Sequence, residues 1–215
     1  MENAIKKSKI FENLPPEETN EVIRKLSAGK RKFKKGEYIL RNGDEARLFG
    51  IVLSGEVMIE SADYWGNSIV TAAVTEGGIF AEAYALASGV MGTDVTARTD
   101  SEIMFLSAEK LFLTSVPEKF MKNLLRAVAA KNVRINEKLS HMSKRTIRAK
   151  LISYFSAESR KAKSDEFYLP FNRRRLADYL AVDRSALSAE MSRMKKDGLI
   201  DYDRSKVRLF KMKGE

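Results

Sequence analysis

The stretch Asn172–Gly198, NRRRLADYLAVDRSALSAEMSRMKKDG, decides how the rest of this 215-residue chain is read. Asn172 is a good N-cap for a short helix carrying Leu176, Ala177 and Leu180. Ala181-Val182 makes the turn. Asp183 caps a second helix running from Arg184 to about Asp197, and Gly198 suits its C-terminus. Leu187, Met191 and Met194 are spaced to pack inward, so Arg184, Ser185, Ser188, Ala189 and Ser192 fall on the outward face. Beyond it, Leu199–Tyr202 and Val207–Phe210 read as a hairpin around Asp203-Arg204-Ser205-Lys206. Upstream, Thr146–Glu158 reads as a helix with Ile147, Leu151, Ile152 and Phe155 on one face, and Phe167–Phe171 as a short strand. The sum is a winged helix–turn–helix, whose second helix enters the major groove N-terminus first.

Charge distribution agrees. From Lys144 to Glu215 there are 19 Lys+Arg against 10 Asp+Glu, whereas residues 1–143 hold 20 against 19. A cationic excess confined to one region is the footprint of a surface for a polyanion. Arg184 is long enough for a bidentate contact to guanine, and Ser185 and Ser188 can donate or accept beside it, with Ala189 on the same face. Asn172 and Asp183 cap the helix starts. Arg173, Arg174, Arg193, Lys195 and the wing residue Lys206 are placed for phosphates, which fixes register and makes affinity salt-sensitive.

Composition removes other chemistries. With no cysteine and one histidine, His141, disulfides, thiolate clusters and multi-histidine metal sites are excluded. No apolar run approaches the roughly 20 residues that cross a bilayer, so no membrane role is expected. MENAIKKSKIFENL does not look like a targeting segment, so a cytoplasmic location is expected.

The remainder is mixed. Residues 1–28 read as a helical lead-in, with Pro15-Pro16 and Glu17-Glu18 at a helix start. From about Lys32, the short apolar segments Tyr38–Arg41, Phe49–Leu53, Glu56–Ser61, Ile69–Val74 and Glu102–Leu106 alternate with glycine turns. That argues for an antiparallel β-roll or barrel. Tyr64-Trp65-Gly66-Asn67 sits where a hairpin should reverse. After a short amphipathic piece, Ala108–Leu113, and Pro117, Met121, Leu124, Val128, Ile135 and Met142 recur at steps of three, four and seven, with Leu125 and Leu139 beside them. Lys131 and Lys138 interrupt this seam, which reads as a self-associating helix ending near Ser143. The expected division is a β-roll sensing domain at 1–116, a dimerisation helix at 117–143 and the DNA-binding domain at 144–215.

Taken in order, these parts resemble the Crp–Fnr family of bacterial transcription regulators. The roll motifs stand here as Lys35-Gly36-Glu37, Asn42-Gly43-Asp44, Leu53-Ser54-Gly55-Glu56-Val57 and Glu76-Gly77-Gly78-Ile79-Phe80. The reading helix stands as Val182-Asp183-Arg184-Ser185-Ala186-Leu187-Ser188. The resemblance implies an α+β chain: a double-stranded β-helix roll like that of cyclic nucleotide-binding proteins, a long dimerisation helix and a winged helix–turn–helix. It also implies a homodimer on palindromic double-stranded DNA and, in an activator, contact with RNA polymerase. It further places an effector pocket at Phe80, Ala81, Glu82, Ala83, Tyr84 and Met91. Here the chain departs from the cyclic-nucleotide branch. Glu82 survives, but Ala81 replaces a glycine, and Met91 stands where the arginine that clamps the cyclic phosphate belongs. A cyclic phosphate would lose its main charge-assisted partner, so an effector other than cyclic AMP is expected, and no cofactor. The iron–sulfur branch needs cysteines. A haem branch needs axial ligands, and His141, far in sequence from the pocket, is expected on the surface. Ala181 replaces a frequent turn glycine, and Ser185 and Ala189 stand where the family often has Glu and Arg.

Two readings from other classes remain. A cupin-type β-barrel enzyme fails because the barrel segment contains no histidine. A cyclic-nucleotide-binding-like module acting on a protein partner would not need the basic winged segment.

Overall fold

Pro16 occupies the first turn of a helix, where its missing N–H costs nothing, and Glu17 and Glu18 follow at the positive end of the dipole. In this computed structural model, which describes residues 2–62 and 68–210, that helix is α2 (Pro16–Leu26). It follows α1 (Glu2–Lys7) and a 3-10 turn at Lys9–Phe11. The expected reversal at Tyr64–Asn67 lies outside the described residues. The chain divides into two compact units, residues 1–130 and 131–215.

The first unit is an antiparallel roll of two four-stranded sheets. One has the order β1 (Ser27–Phe33), β8 (Ser101–Ser107), β3 (Leu48–Ser54), β6 (Ile79–Phe80). The other has β2 (Tyr38–Leu40), β7 (Asp94–Ala97), β4 (Glu56–Ala62), β5 (Ser68–Thr75). The helix α3 (Glu82–Leu86) follows β6, and α4 (Ala108–Leu113) follows β8. Strand β3 pairs with β8 on one side and β6 on the other, and Phe49, Ile51, Val52 and Leu53 are buried. Gly50 of that strand lies under the Phe80 ring: a Cβ there would stand 2.1 Å from the ring. The roll motif Gly77-Gly78-Ile79-Phe80 thus closes against β3 through a glycine outside the motif.

Three strands were not legible, the two-residue β6 among them. The segment Ser27–Phe33 was read partly as helical lead-in, yet it is β1, paired through Ser27–Leu106 to Phe33–Ser101 with β8. Its five middle positions are all exposed, so it shows no apolar alternation; it is an edge strand. Strand β7 has only four residues and pairs with both β2 and β4.

The long helix α5 runs Glu118–Met142. Phe120 and Leu124 are buried in the roll's core, with Met121 and Val128 packed against it. The Asn123 side chain donates to the Glu12 carbonyl at 2.8 Å, tying the helix to the lead-in. Leu124, expected in an open seam, is 1% exposed and already covered by its own roll. The exposed large apolar side chains of α5 are Leu125, Val133, Ile135 and Leu139.

In the second unit, α6 (Ile147–Ala162), α7 (Arg173–Leu180) and α8 (Arg184–Lys196) pack on a three-stranded sheet. Its order is β10 (Ile200–Asp203), β11 (Lys206–Leu209), β9 (Glu166–Tyr168). The core holds Leu151, Phe155, Leu176, Leu180, Leu187 and Met191. Ile152, expected on that face, is partly exposed instead. His141, expected on the surface, is 4% exposed. Its Nδ1 lies 2.8 Å from the Ser153 hydroxyl, and its ring meets Tyr154 edge-on at 5.7 Å. Burial pushes its pKa below the ordinary 6.5.

Candidate nucleic-acid interface

Caps place the two helices of the motif. The Asn172 side chain accepts from the Arg175 amide at 2.9 Å and the Asp183 carboxylate from the Ala186 amide at 2.8 Å. The Ser185 hydroxyl donates to the same carboxylate at 2.5 Å. That hydroxyl first, then the Ala186 amide, holds the Asp183 carboxyl below its usual range. Between the helices, Ala181 adopts φ 49°, ψ 62°, and the Val182 amide reaches back to the Ala177 carbonyl at 3.1 Å. This left-handed turn is the geometry that favours glycine, and alanine here carries strain.

Leu187, Met191 and Met194 face inward, and Arg184, Ser185 and Ala189 are exposed. Ser188, half-buried, donates to the Arg184 carbonyl at 3.0 Å, and Ser192 donates to the Ser188 carbonyl at 3.1 Å. Their hydroxyl oxygens remain able to accept. From behind, Arg148 of α6 grips this helix, pairing with Glu190 at 2.6 Å and with Asp197 at 2.7 Å. Glu190 is 8% exposed. Arg193, expected on phosphate, also leans on Glu190 at 3.3 Å, though its head stays open to solvent. Sequence reading missed Arg148, because the pairing joins residues 42 apart.

The wing differs from expectation in its cations. Lys206 pairs with Glu166 of β9 at 2.6 Å, and Arg208 shares that carboxylate at 3.4 Å. Arg204, not singled out from sequence, sits at the wing tip with φ 50° and is exposed. Among the described residues Arg174, Arg175, Arg184 and Arg204 are exposed without a carboxylate partner. Arg173 is half-buried, its guanidinium 4.6 Å from the centre of the Tyr202 ring.

The roll segment expected to hold an effector combines buried and open positions. Phe80 and Met91 are fully buried. Ala81 takes φ 61° immediately before α3, the place of the family's glycine. Glu82, first residue of α3, is 3% exposed; Ala83 is exposed and Tyr84 half-buried. The Tyr84 hydroxyl approaches Gly92 so closely that a Cβ there would stand 3.1 Å away. Thr93 Oγ1 is buried without a hydrogen-bond partner among the described residues. A groove of about 600 Å³ opens nearby, lined by Glu45, Arg47, Ser88, Val90 and Phe112, and none of the six expected pocket residues lines it. Among the described residues no group of His, Asp and Glu could hold a metal ion, and no helix is long and apolar enough to cross a membrane.

Two domain families match the chain: the cyclic nucleotide-binding domain over residues 30–113 and the Crp-like helix-turn-helix domain over 149–214. Their order is that of β-roll followed by winged helix–turn–helix. The chain belongs to the Crp–Fnr family of transcription regulators. Solved structures share the fold. The catabolite activator protein of Thermus thermophilus matches at 19% identity and a TM-score of 0.52, covering 94% of each chain. The c-di-GMP responsive global regulator CLP of Xanthomonas campestris matches at 18% identity and a TM-score of 0.55, covering 92% of this chain and all of that one. A curated relative, the cAMP-dependent protein kinase regulatory subunit of Dictyostelium discoideum, is 31% identical over 107 residues. Those are 50% of this chain and 32% of that protein, so the chain spans about a third of the relative's length. As a Crp–Fnr member the chain is a DNA-binding regulator, in a family of regulators rather than enzymes. In helix–turn–helix domains generally, the start of the second helix is the part presented to base edges.

Proposed function

We propose that this Crp–Fnr protein acts as a homodimer on a palindromic operator, controlled by a small effector other than cyclic AMP held in the roll. The division into sensing roll at 1–116, dimer helix at 117–143 and DNA-binding domain at 144–215 is the functional one, in a cytoplasmic protein.

One observation carries the DNA reading: an exposed, capped α8 whose first turn offers Arg184 with no carboxylate partner among the described residues. Arg184 takes a guanine edge, with Ser185, Ser188 and Ala189 beside it. Asn172, Arg173, Arg174 and Arg193, with Asp183 as cap, set the phosphate register, and Lys206 contributes once Glu166 yields it. Dimerisation uses the exposed side of α5, through Leu125, Ile135 and Leu139 with the half-buried Met142 at its end, rather than Leu124. The case against cyclic AMP rests on charge: residues 80–93, FAEAYALASGVMGT, include no Lys or Arg. An anionic phosphate at Glu82 would meet a carboxylate, and this segment supplies no cation to offset it. If the protein activates, it touches RNA polymerase.

Native mass spectrometry and titration calorimetry test this together. The expected result is a dimer that gives no binding heat with cyclic AMP. A monomer at micromolar concentration, or a saturable cyclic AMP isotherm, would overturn the corresponding part.

A further inference from the structure

The wing carries a second aromatic device that the reading helix does not explain. Tyr202, on β10, is half-buried, and two cations lie against its ring: the Arg173 guanidinium at 4.6 Å and the Lys195 ammonium at 5.2 Å. Its hydroxyl lies 3.3 Å from that of Ser192. The side chain therefore touches α7 through Arg173 and α8 through Lys195 on its ring face and Ser192 at its hydroxyl, and the wing through its own strand. The two cations are not equivalent. Lys195 is answered by Asp201 at 2.5 Å. Arg173 has no carboxylate partner among the described residues, and its surroundings disfavour its charge.

A half-buried guanidinium without an anion is held at a cost that the ring's electron-rich face only partly offsets. Its edge N–H groups remain available, since the contact to Tyr202 uses its plane. A guanidinium fixed in orientation loses little entropy when it makes a bidentate contact to a phosphate. We propose that Tyr202 is a positioning residue for DNA binding: its ring pre-sets Arg173 at the start of α7 to receive one backbone phosphate, and couples that contact to the wing. This rests on the DNA-binding reading, but adds that a wing aromatic, itself making no base contact, governs a contact on another helix.

The test uses the full-length protein and a double-stranded DNA pool of random sequence, with affinity measured across a salt series. Each phosphate contact contributes about one unit to the slope of log K against log salt. Tyr202→Phe keeps the ring face and should leave the slope unchanged. Tyr202→Met keeps apolar bulk without the face; it should flatten the slope by about one unit and weaken binding about tenfold. Arg173→Gln, in which the ring and core are untouched, should flatten the slope equally. The double variant should lose no more than Arg173→Gln alone, because Tyr202 acts through Arg173. Additive losses in the double variant, an unchanged slope in Arg173→Gln, or a Tyr202→Phe defect equal to that of Tyr202→Met would each overturn the proposal. If wild type does not bind DNA at all, the DNA-binding reading itself fails, an outcome distinct from these.

Discussion

The winged unit and the roll treat their polar groups in opposite ways. On α8 and the wing tip, Arg184 and Arg204 stand exposed with no carboxylate partner among the described residues, while Asp183 and Asn172 are spent on helix caps. In the roll, Glu82 is nearly buried and Phe80 and Met91 are closed over by packing. A surface that meets a polyanion must be open and charged before its partner arrives. A small-molecule site is defined by which interior side chains yield, and a packed interior does not display that. Hence the first region can be read residue by residue, whereas the second supports only an argument from missing charge.

The widest contrast lies between neighbours on α5. Leu124→Lys would place an unpaired cation in the roll's core and should destabilise the first unit by about 4 kcal/mol or more, measured by denaturant unfolding. Leu125→Lys, at a 60% exposed position, should change stability by less than about 0.5 kcal/mol yet reduce self-association in sedimentation. If both variants unfold alike, the exposed stripe is not a separate surface.

On the reading helix, Arg184→Ala should cost about 1–3 kcal/mol on a selected site and relax preference at one base pair. Unaltered preference would remove Arg184 from base reading.

His141 sharpens the contrast within the second unit. Its folded pKa is depressed, so its contribution to stability is complete above its unfolded value near 6.5 and is lost as pH falls toward the folded value. The groups facing it are Tyr154, Tyr179 and Ser153, with Glu137, Glu158, Arg160 and Lys161 nearby. Thermal melts from pH 7 down to pH 5 should show a steeper fall in wild type than in His141→Gln. Parallel falls would assign the pH effect to other groups.

The smallest effect expected is a gain. Ala181→Gly relieves a left-handed alanine at φ 49° and should stabilise the second unit by about 1 kcal/mol without altering DNA preference. A loss of stability would show that the turn is not strained.

Much of this was legible in the sequence because local rules coincide there. Asn172, Asp183 and the inward set Leu187, Met191 and Met194 are fixed by capping and helical period, and the roll's glycine turns by their spacing. Strand β1 escaped because an exposed basic edge strand carries no apolar rhythm. Leu124 and Leu125 lie on a stripe broad enough that periodicity cannot say which is covered by the roll. Arg148–Glu190, Lys206–Glu166 and Arg173–Tyr202 join distant segments, and only the packed arrangement reveals them.

The claim on which the account depends is that the second unit reads double-stranded DNA by sequence. Repeated selection of the full-length protein on a randomised duplex pool tests it most directly. The account predicts an enriched palindrome whose half-sites lie about one helical turn apart, with affinity falling steeply as salt rises. A pool that stays unenriched, with no retention even in dilute buffer, would contradict it.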